Sequence, residues 1–211
     1  MQFYPHDLLR INDFEDLEFG EVEPPAWTRE SILLAPWVVV RRVQTPDTVI
    51  PVGIRGEDRS QRCAAFIRKD IVQEVKRPFQ LRLSKCKSSH ERSRHLPALS
   101  HLMVLEEQWE LDLPWGPSGS VGFELASGEP ITTCTSDLDL CIFVENEFST
   151  ESARGLLSKA RELAPCADIS VETLDCAFSL AEFASGKKEI LLKAATGPSI
   201  GPVPWRIRSP C

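Results

Sequence analysis

Ser136-Asp137-Leu138-Asp139-Leu140-Cys141-Ile142-Phe143 alternates carboxylate and aliphatic side chains before it enters an apolar run. Successive side chains of a β-strand point to opposite faces, so a strand over 137–144 puts Asp137 and Asp139 on one face. Leu138 and Leu140 then point the other way and need a core beneath them. Two carboxylates a few ångströms apart need positive charge between them. Hard oxygen donors of this kind suit Mg²⁺, which takes one or two carboxylates and fills its shell with water and phosphate oxygens.

Upstream lies Gly116-Pro-Ser-Gly-Ser-Val-Gly122, too rich in glycine and proline for a helix interior and read as a loop. Gly119 lets backbone approach a phosphate, and Ser120 offers a hydroxyl and an N–H to its oxygens. Downstream, Ala153, Leu156, Leu157, Ala160 and Leu163 form one stripe of a helix over 150–163, with Ser149 or Thr150 as N-cap. Strands are expected over 169–174 and 190–194, a short helix over 178–184, and another helix over 96–109. Strands alternating with helices make residues 96–211 an α/β or α+β domain.

The first half reads differently. Strands rich in valine and isoleucine are expected over 33–42, 49–55 and 63–67, which makes residues 1–80 a small β-rich domain. Residues 81–95 read as a basic linker within an exposed polar loop over 76–95, with a domain boundary there. Charge follows the same division. Residues 36–95 hold fourteen Lys/Arg against six acids, and residues 96–211 hold eight against seventeen, in a chain of net charge −7. A basic middle in an acidic protein suits a local polyanion site better than a nucleic-acid track.

Several classes are excluded by composition. No apolar run approaches the roughly 20 residues of a membrane span, and residues 32–40 are interrupted by Pro36. The start, Met-Gln-Phe-Tyr-Pro-His-Asp, lacks the basic and apolar regions of a signal peptide, so a cytoplasmic protein is expected. Cysteines 63, 86, 134, 141, 166, 176 and 211 include no pair with zinc-ligand spacing and read as reduced thiols.

Gly119-Ser120 followed by Ser136-Asp-Leu-Asp-Leu140 resembles the signature of the nucleotidyltransferase superfamily with the DNA polymerase β-like fold. That resemblance implies Gly-Ser holding phosphates, Asp137 and Asp139 binding Mg²⁺, and a third carboxylate on a neighbouring strand. Asp168, at the strand start, is the first candidate and Glu172 the second. The Ser120-to-Asp137 spacing is longer than in minimal members, through an insertion around Gly128-Glu-Pro-Ile131.

Further segments carry a narrower resemblance: Pro5-His-Asp-Leu-Leu9, Pro51-Val-Gly-Ile-Arg-Gly56 with Gln61-Arg62, Trp115-Gly-Pro-Ser-Gly-Ser-Val-Gly-Phe-Glu-Leu-Ala126, Val171-Glu-Thr173, Gly197-Pro198 and Pro204-Trp205. Together they resemble the malonate decarboxylase holo-acyl-carrier-protein synthases, which are phosphoribosyl-dephospho-CoA transferases. The resemblance implies transfer from 2′-(5″-triphosphoribosyl)-3′-dephospho-CoA to a serine of the apo acyl-carrier subunit, with loss of pyrophosphate. Asp168 or Glu172 would complete the metal site or take the serine proton. Arg41, Arg42, Arg55, Arg59 and Arg62 would meet the donor's phosphates. His6 is read first as a capped surface residue, with a ligand contact or a proton shuttle as alternatives, and Trp115 and Trp205 as core anchors or walls of the cleft. Two alternatives remain: an ATP-using nucleotidyltransferase of the same superfamily, and a non-catalytic protein that docks on an acyl carrier.

Overall fold

The computed structural model describes residues 2–58 and 60–205, and its period-two stretches assemble into two sheets. The first half contains β1 (Leu8–Arg10), α1 (Trp27–Leu34), β2 (Trp37–Val40), β3 (Val49–Arg55), β4 (Arg62–Arg68) and β5 (Glu74–Lys76). Its strands form an antiparallel sheet in the order β4-β3-β2-β1-β5. Leu9, Val38, Val40, Ile50, Val52, Ile54, Ala65 and Ile67 alternate onto one face and bury a core of their own.

The second half contains α2 (Lys87–Arg92), α3 (Pro97–Gln108), β6 (Trp115–Pro117), α4 (Gly119–Ser127), β7 (Leu138–Phe143), α5 (Thr150–Leu163), β8 (Ala167–Glu172), β9 (Cys176–Ser179), α6 (Leu180–Ala184), β10 (Ile190–Ala194) and β11 (Gly197–Gly201). The sheet runs β11-β10-β9-β8-β7-β6, and β7-β8 is its one parallel pair. Parallel neighbours require a crossover, and α5 supplies it, capped by the Ser149 hydroxyl on the Ser152 N–H. Leu138, Leu140, Ile142, Ile169 and Val171 bury against Ala153, Ala160 and Leu163 of α5 and Leu99, Leu102 and Leu105 of α3. The other face, Asp139, Cys141, Asp168, Ser170 and Glu172, is thereby left for polar work. The fold is α+β.

Three readings of local structure are corrected. Residues 27–34 form α1, so the strand expected from residue 33 begins at Trp37, with Leu33 and Leu34 on the exposed side of a helix. The glycine-rich stretch is a strand followed by a helix rather than a loop. Gly119 starts α4 with φ +58, and Gly122 is needed because a Cβ would come within 2.6 Å of the Pro117 carbonyl oxygen. Residues 87–92 of the expected exposed loop form α2, with Ser89 and Ser93 buried.

The reason for the last lies in Glu124, a buried carboxylate on α4. It accepts from the Ser89 hydroxyl at 2.7 Å, the Arg92 guanidinium at 2.6 Å and the Thr132 N–H at 2.7 Å. Burial pushes the Glu124 carboxyl up, but these donors outweigh it and hold the pKa below the ordinary range. Glu124 thus pulls the basic segment and the loop before Asp137 onto one helix. Glu124→Ala leaves the Arg92 charge and the Thr132 N–H without their acceptor. It is expected to cost about 3 kcal/mol, read as a lower urea midpoint in equilibrium unfolding.

Candidate active site

Asp139 and Asp168 are register partners across the parallel β7-β8 pair, so both carboxylates leave the sheet on the polar face. Like charges directly opposite repel, and a cation between them would relieve that repulsion. Asp137 stands one residue before β7 and is exposed. Gly119 abuts Asp139 so closely that a Cβ would lie 2.0 Å from Oδ2. The Ser118 N–H donates to the Asp139 carbonyl at 2.9 Å, which seats the start of α4 beside the strand. First-turn N–H groups at Gly119 and Ser120 therefore sit next to a carboxylate, and Gly119 has no side chain because Asp139 takes its place. Hard oxygen donors beside a phosphate-compatible helix start are a set that fits Mg²⁺.

Glu172 is separated from this pair. It lies two alternations further along β8, opposite Phe143, or roughly 13 Å from Asp168 at 3.3 Å per residue. Only 3% of its side chain is exposed, and both oxygens are occupied. Oε1 accepts from Ser170 at 2.7 Å and meets His6 Nε2 at 3.2 Å, while Oε2 accepts from the Arg42 guanidinium. Burial pushes the Glu172 carboxyl up, but His6, Arg42 and Ser170 overcome it and hold the pKa at about 2. Of the two candidates for the third carboxylate, Asp168 stands by Asp139 and Glu172 serves an interface.

His6, read from sequence as a surface residue, is corrected by that contact. Its backbone has φ +71, a left-handed conformation uncommon for a side-chain-bearing residue, and its N–H donates to the Val40 carbonyl at 3.1 Å. Burial works against an imidazolium here, yet Cys141 and Glu172 outweigh it and raise the His6 pKa well above the ordinary value. His6, Cys141 and Glu172 offer ligand atoms within 4.8 Å of one another, the one such group among the described residues. Its soft donors and the Arg42 guanidinium on Glu172 make it a poor match for Mg²⁺. The His6-Glu172 contact spans 166 positions, so no local pattern announces it; Pro5-His-Asp-Leu-Leu9 was the only signal.

The arginines divide. Arg42 is committed to Glu172 with its side chain 14% exposed. Arg41, Arg55 and Arg62 share the face of the first sheet opposite its core, with Arg55 the register partner of Arg62. Arg59 lies outside the described residues. Trp115 is buried against Trp109, and Trp205 packs on Phe148, Phe178 and Phe183, so both serve the core rather than the polar face. The six described cysteines are free, and Cys211 lies outside the described residues.

Two family models cover this architecture. The N-terminal domain of phosphoribosyl-dephospho-CoA transferase MdcG matches residues 4–78, and its C-terminal domain matches residues 81–204. The chain belongs to the phosphoribosyl-dephospho-CoA transferase family. Relatives bearing that name include a Pseudomonas putida protein, 34% identical over 96% of this chain and 95% of its own length. An Azotobacter vinelandii protein is 33% identical over 96% and 94%, and one from Pseudomonas aeruginosa 34% over 96% and 94%. No solved structure matches the chain. As a family member the chain is classed among transferase enzymes, and no described helix is long and apolar enough to cross a membrane.

Two buried acids of the family fold have opposite pH consequences. Glu172 has its pKa lowered, so its contribution is complete above about pH 4.5 and is lost as pH falls toward about 2. Asp7, buried and held by the Tyr4 N–H at 2.9 Å, has its pKa raised to about 6, chiefly by burial. Its ionisation therefore lowers stability as pH rises from about 4 to about 6. Denaturant titrations at pH 3, 5 and 7 should show Glu172→Gln flattening the acid limb and Asp7→Asn lessening the loss above pH 4. Profiles parallel to wild type would contradict both assignments.

Proposed function

We propose that this chain transfers phosphoribosyl-dephospho-CoA from its triphosphate precursor to a serine of the apo acyl-carrier subunit of malonate decarboxylase, releasing pyrophosphate. The observation that carries the reading is the convergence of Gly119, Asp139 and Asp168 at one end of the polar face. A polymerase β-like nucleotidyltransferase organisation is part of the proposal. The α+β sheet, its parallel carboxylate-bearing pair and the Gly-Ser helix start support it. The proposal also divides the chain into residues 1–80, a segment 81–95 and a catalytic part 96–211.

In this reaction the serine oxygen forms a bond to the phosphorus next to the ribose. The bond from that phosphorus to the bridging oxygen breaks, and pyrophosphate carries away the electron pair. Gly119 and Ser120 N–H groups hold phosphate oxygens in line. Asp137, Asp139 and Asp168 would hold Mg²⁺, whose charge neutralises the attacking and leaving oxygens when it is bound. Asp168, exposed at the strand start, would either complete that metal site or accept the serine proton. Glu172, with a pKa of about 2 and both oxygens engaged, is unsuited to that role. Arg41, Arg55, Arg59 and Arg62 are proposed to meet the donor's phosphates. The proposed setting is the cytoplasm, where free thiols persist.

Intact mass spectrometry of the carrier, after incubation with Mg²⁺ and the triphosphate donor, is the direct test. A mass gain matching phosphoribosyl-dephospho-CoA is expected, with a rate lower by at least about 1,000-fold in Asp139→Ala or Asp168→Ala that still unfold cooperatively. A transfer from ATP instead would keep the nucleotidyl chemistry and discard this donor and acceptor. Capture of the carrier with no group transferred would point to a docking protein.

A further inference from the structure

We propose that the outer side of α2 and its flanks, carrying Lys85, Lys87 and Arg94, is the docking surface for a negatively charged face of the acceptor protein. That the acceptor is a protein rests on the reading above; the surface itself rests on how residues 81–95 are charged and held.

Residues 81–95 hold five Lys/Arg, at 82, 85, 87, 92 and 94, against a single acid, Glu91. The half that follows is acidic, with eight Lys/Arg against seventeen acids over residues 96–211. A basic segment on an acidic body draws a negatively charged partner to one place and repels it elsewhere. A helix as short as α2 has no stability of its own in water, so its shape depends on what fastens it. Leu83, just upstream, is buried in the core of the second half, and its N–H donates to Glu106 Oε1 at 2.8 Å. Ser89 and Arg92 donate to Glu124 at 2.7 and 2.6 Å, and Arg92 also donates to the Thr132 carbonyl.

This fastening sorts the side chains. Ser89, Arg92 and Ser93, at helical spacing, turn inward toward Glu124 and the core. Lys87, His90, Glu91 and Arg94 take the opposite stripe and are exposed, and Lys85 is exposed just before the helix. Arg92 is engaged by Glu124, and Arg82 lies over the Trp115 ring at 5.7 Å. Lys85, Lys87 and Arg94 therefore point away from α4 and from its first turn at Gly119. They are placed to meet a body lying over the rim of the site rather than a ligand inside it.

The rim is close enough for that. Glu124 lies five residues along α4 from Gly119, about 7.5 Å at 1.5 Å per residue. The outer stripe of α2 is about one helix diameter further, or roughly 20 Å from Gly119. Thr132, the other anchor of Arg92, is five residues before Asp137. A stable protein–protein interface covers about 800 Å² on each partner, a patch about 30 Å across. A folded acceptor that brings its serine to Asp139 can thus reach α2 within one ordinary interface. Nucleic acid is the poorer occupant, because the charge is confined to one short helix and its flanks in a chain of net charge −7.

Isothermal titration of the full chain with the apo carrier, without donor and at low and high salt, tests the surface. Lys85→Glu combined with Lys87→Glu is expected to weaken carrier binding at least about tenfold at low salt and to lessen its salt dependence. Lys187→Glu combined with Lys188→Glu makes the same change of charge at exposed positions elsewhere and should stay within about twofold of wild type. Both variants should keep the wild-type melting temperature. In steady-state transfer, the α2 variant should raise KM for the carrier and leave kcat and the donor's KM unchanged. Wild-type affinity in the α2 variant, equal losses in the two variants, or no carrier binding by the wild-type chain overturns the surface. Loss of affinity for a short single-stranded RNA, with carrier binding intact, overturns it in favour of nucleic acid. A carrier bound through α2 to which nothing is transferred defeats the transfer reading alone. Transfer with an unchanged carrier KM in the α2 variant defeats the surface alone.

Discussion

Glu172 holds a negative charge where water barely reaches it, and the rest of the site depends on how that charge is met. An unpaired buried carboxylate would take a proton or move to the surface. Here the compensating groups come from two parts of the chain: Ser170 from its own strand, and His6 and Arg42 from the first sheet. The ion pair adds little net stability where desolvation is so expensive, but it adds direction. These contacts tie the first sheet to the second at the Glu172 end of the polar row that runs to Asp139.

The polar row exists because one sheet has two different faces. Period-two alternation sends Leu138, Leu140 and Ile142 toward α3 and α5, and the same alternation obliges Asp139, Cys141 and Phe143 to face the other way. Along the row the environment changes. Phe143 is covered by Phe79 in an edge-to-face contact, Glu172 is sealed by its partners, and Asp168 is open to water. One strand therefore carries a structural carboxylate and an available one, and burial and pairing tell them apart rather than residue type.

What the sequence revealed follows the range of the forces involved. β7, α5 and β10 were legible because alternation, helical stripes and a serine cap are local signals. The association of Gly119 with Asp139 was legible only through the resemblance carried by Gly119-Ser120 with Ser136-Asp-Leu-Asp-Leu140, since a glycine turn or an Asp-x-Asp strand alone has an ordinary surface reading. α1 was missed because Ile32, Leu33 and Leu34 read as a continuous apolar strand until tertiary packing buries Ile32 and exposes the other two. α2 was missed because its serines look solvent-facing until Glu124, 35 positions from Ser89, needs donors. His6 was misplaced for the same reason, its partner being 166 positions away. Pairing of distant polar groups leaves no periodic trace in a single chain.

The charge division of the sequence gains its meaning only in this geometry. The basic stretch, residues 36–95, supplies β2 through β5 and hence the arginine-bearing inner face, while the acidic stretch supplies β7 and β8 with their aspartates. In the reaction proposed above, the phosphates of the donor would answer the arginines of the first sheet and a divalent ion would answer the aspartates of the second. Glu172 bears on this division although it takes part in neither pairing. By taking Arg42 and His6 for itself, it leaves Arg41, Arg55 and Arg62 on the face of the first sheet opposite its core.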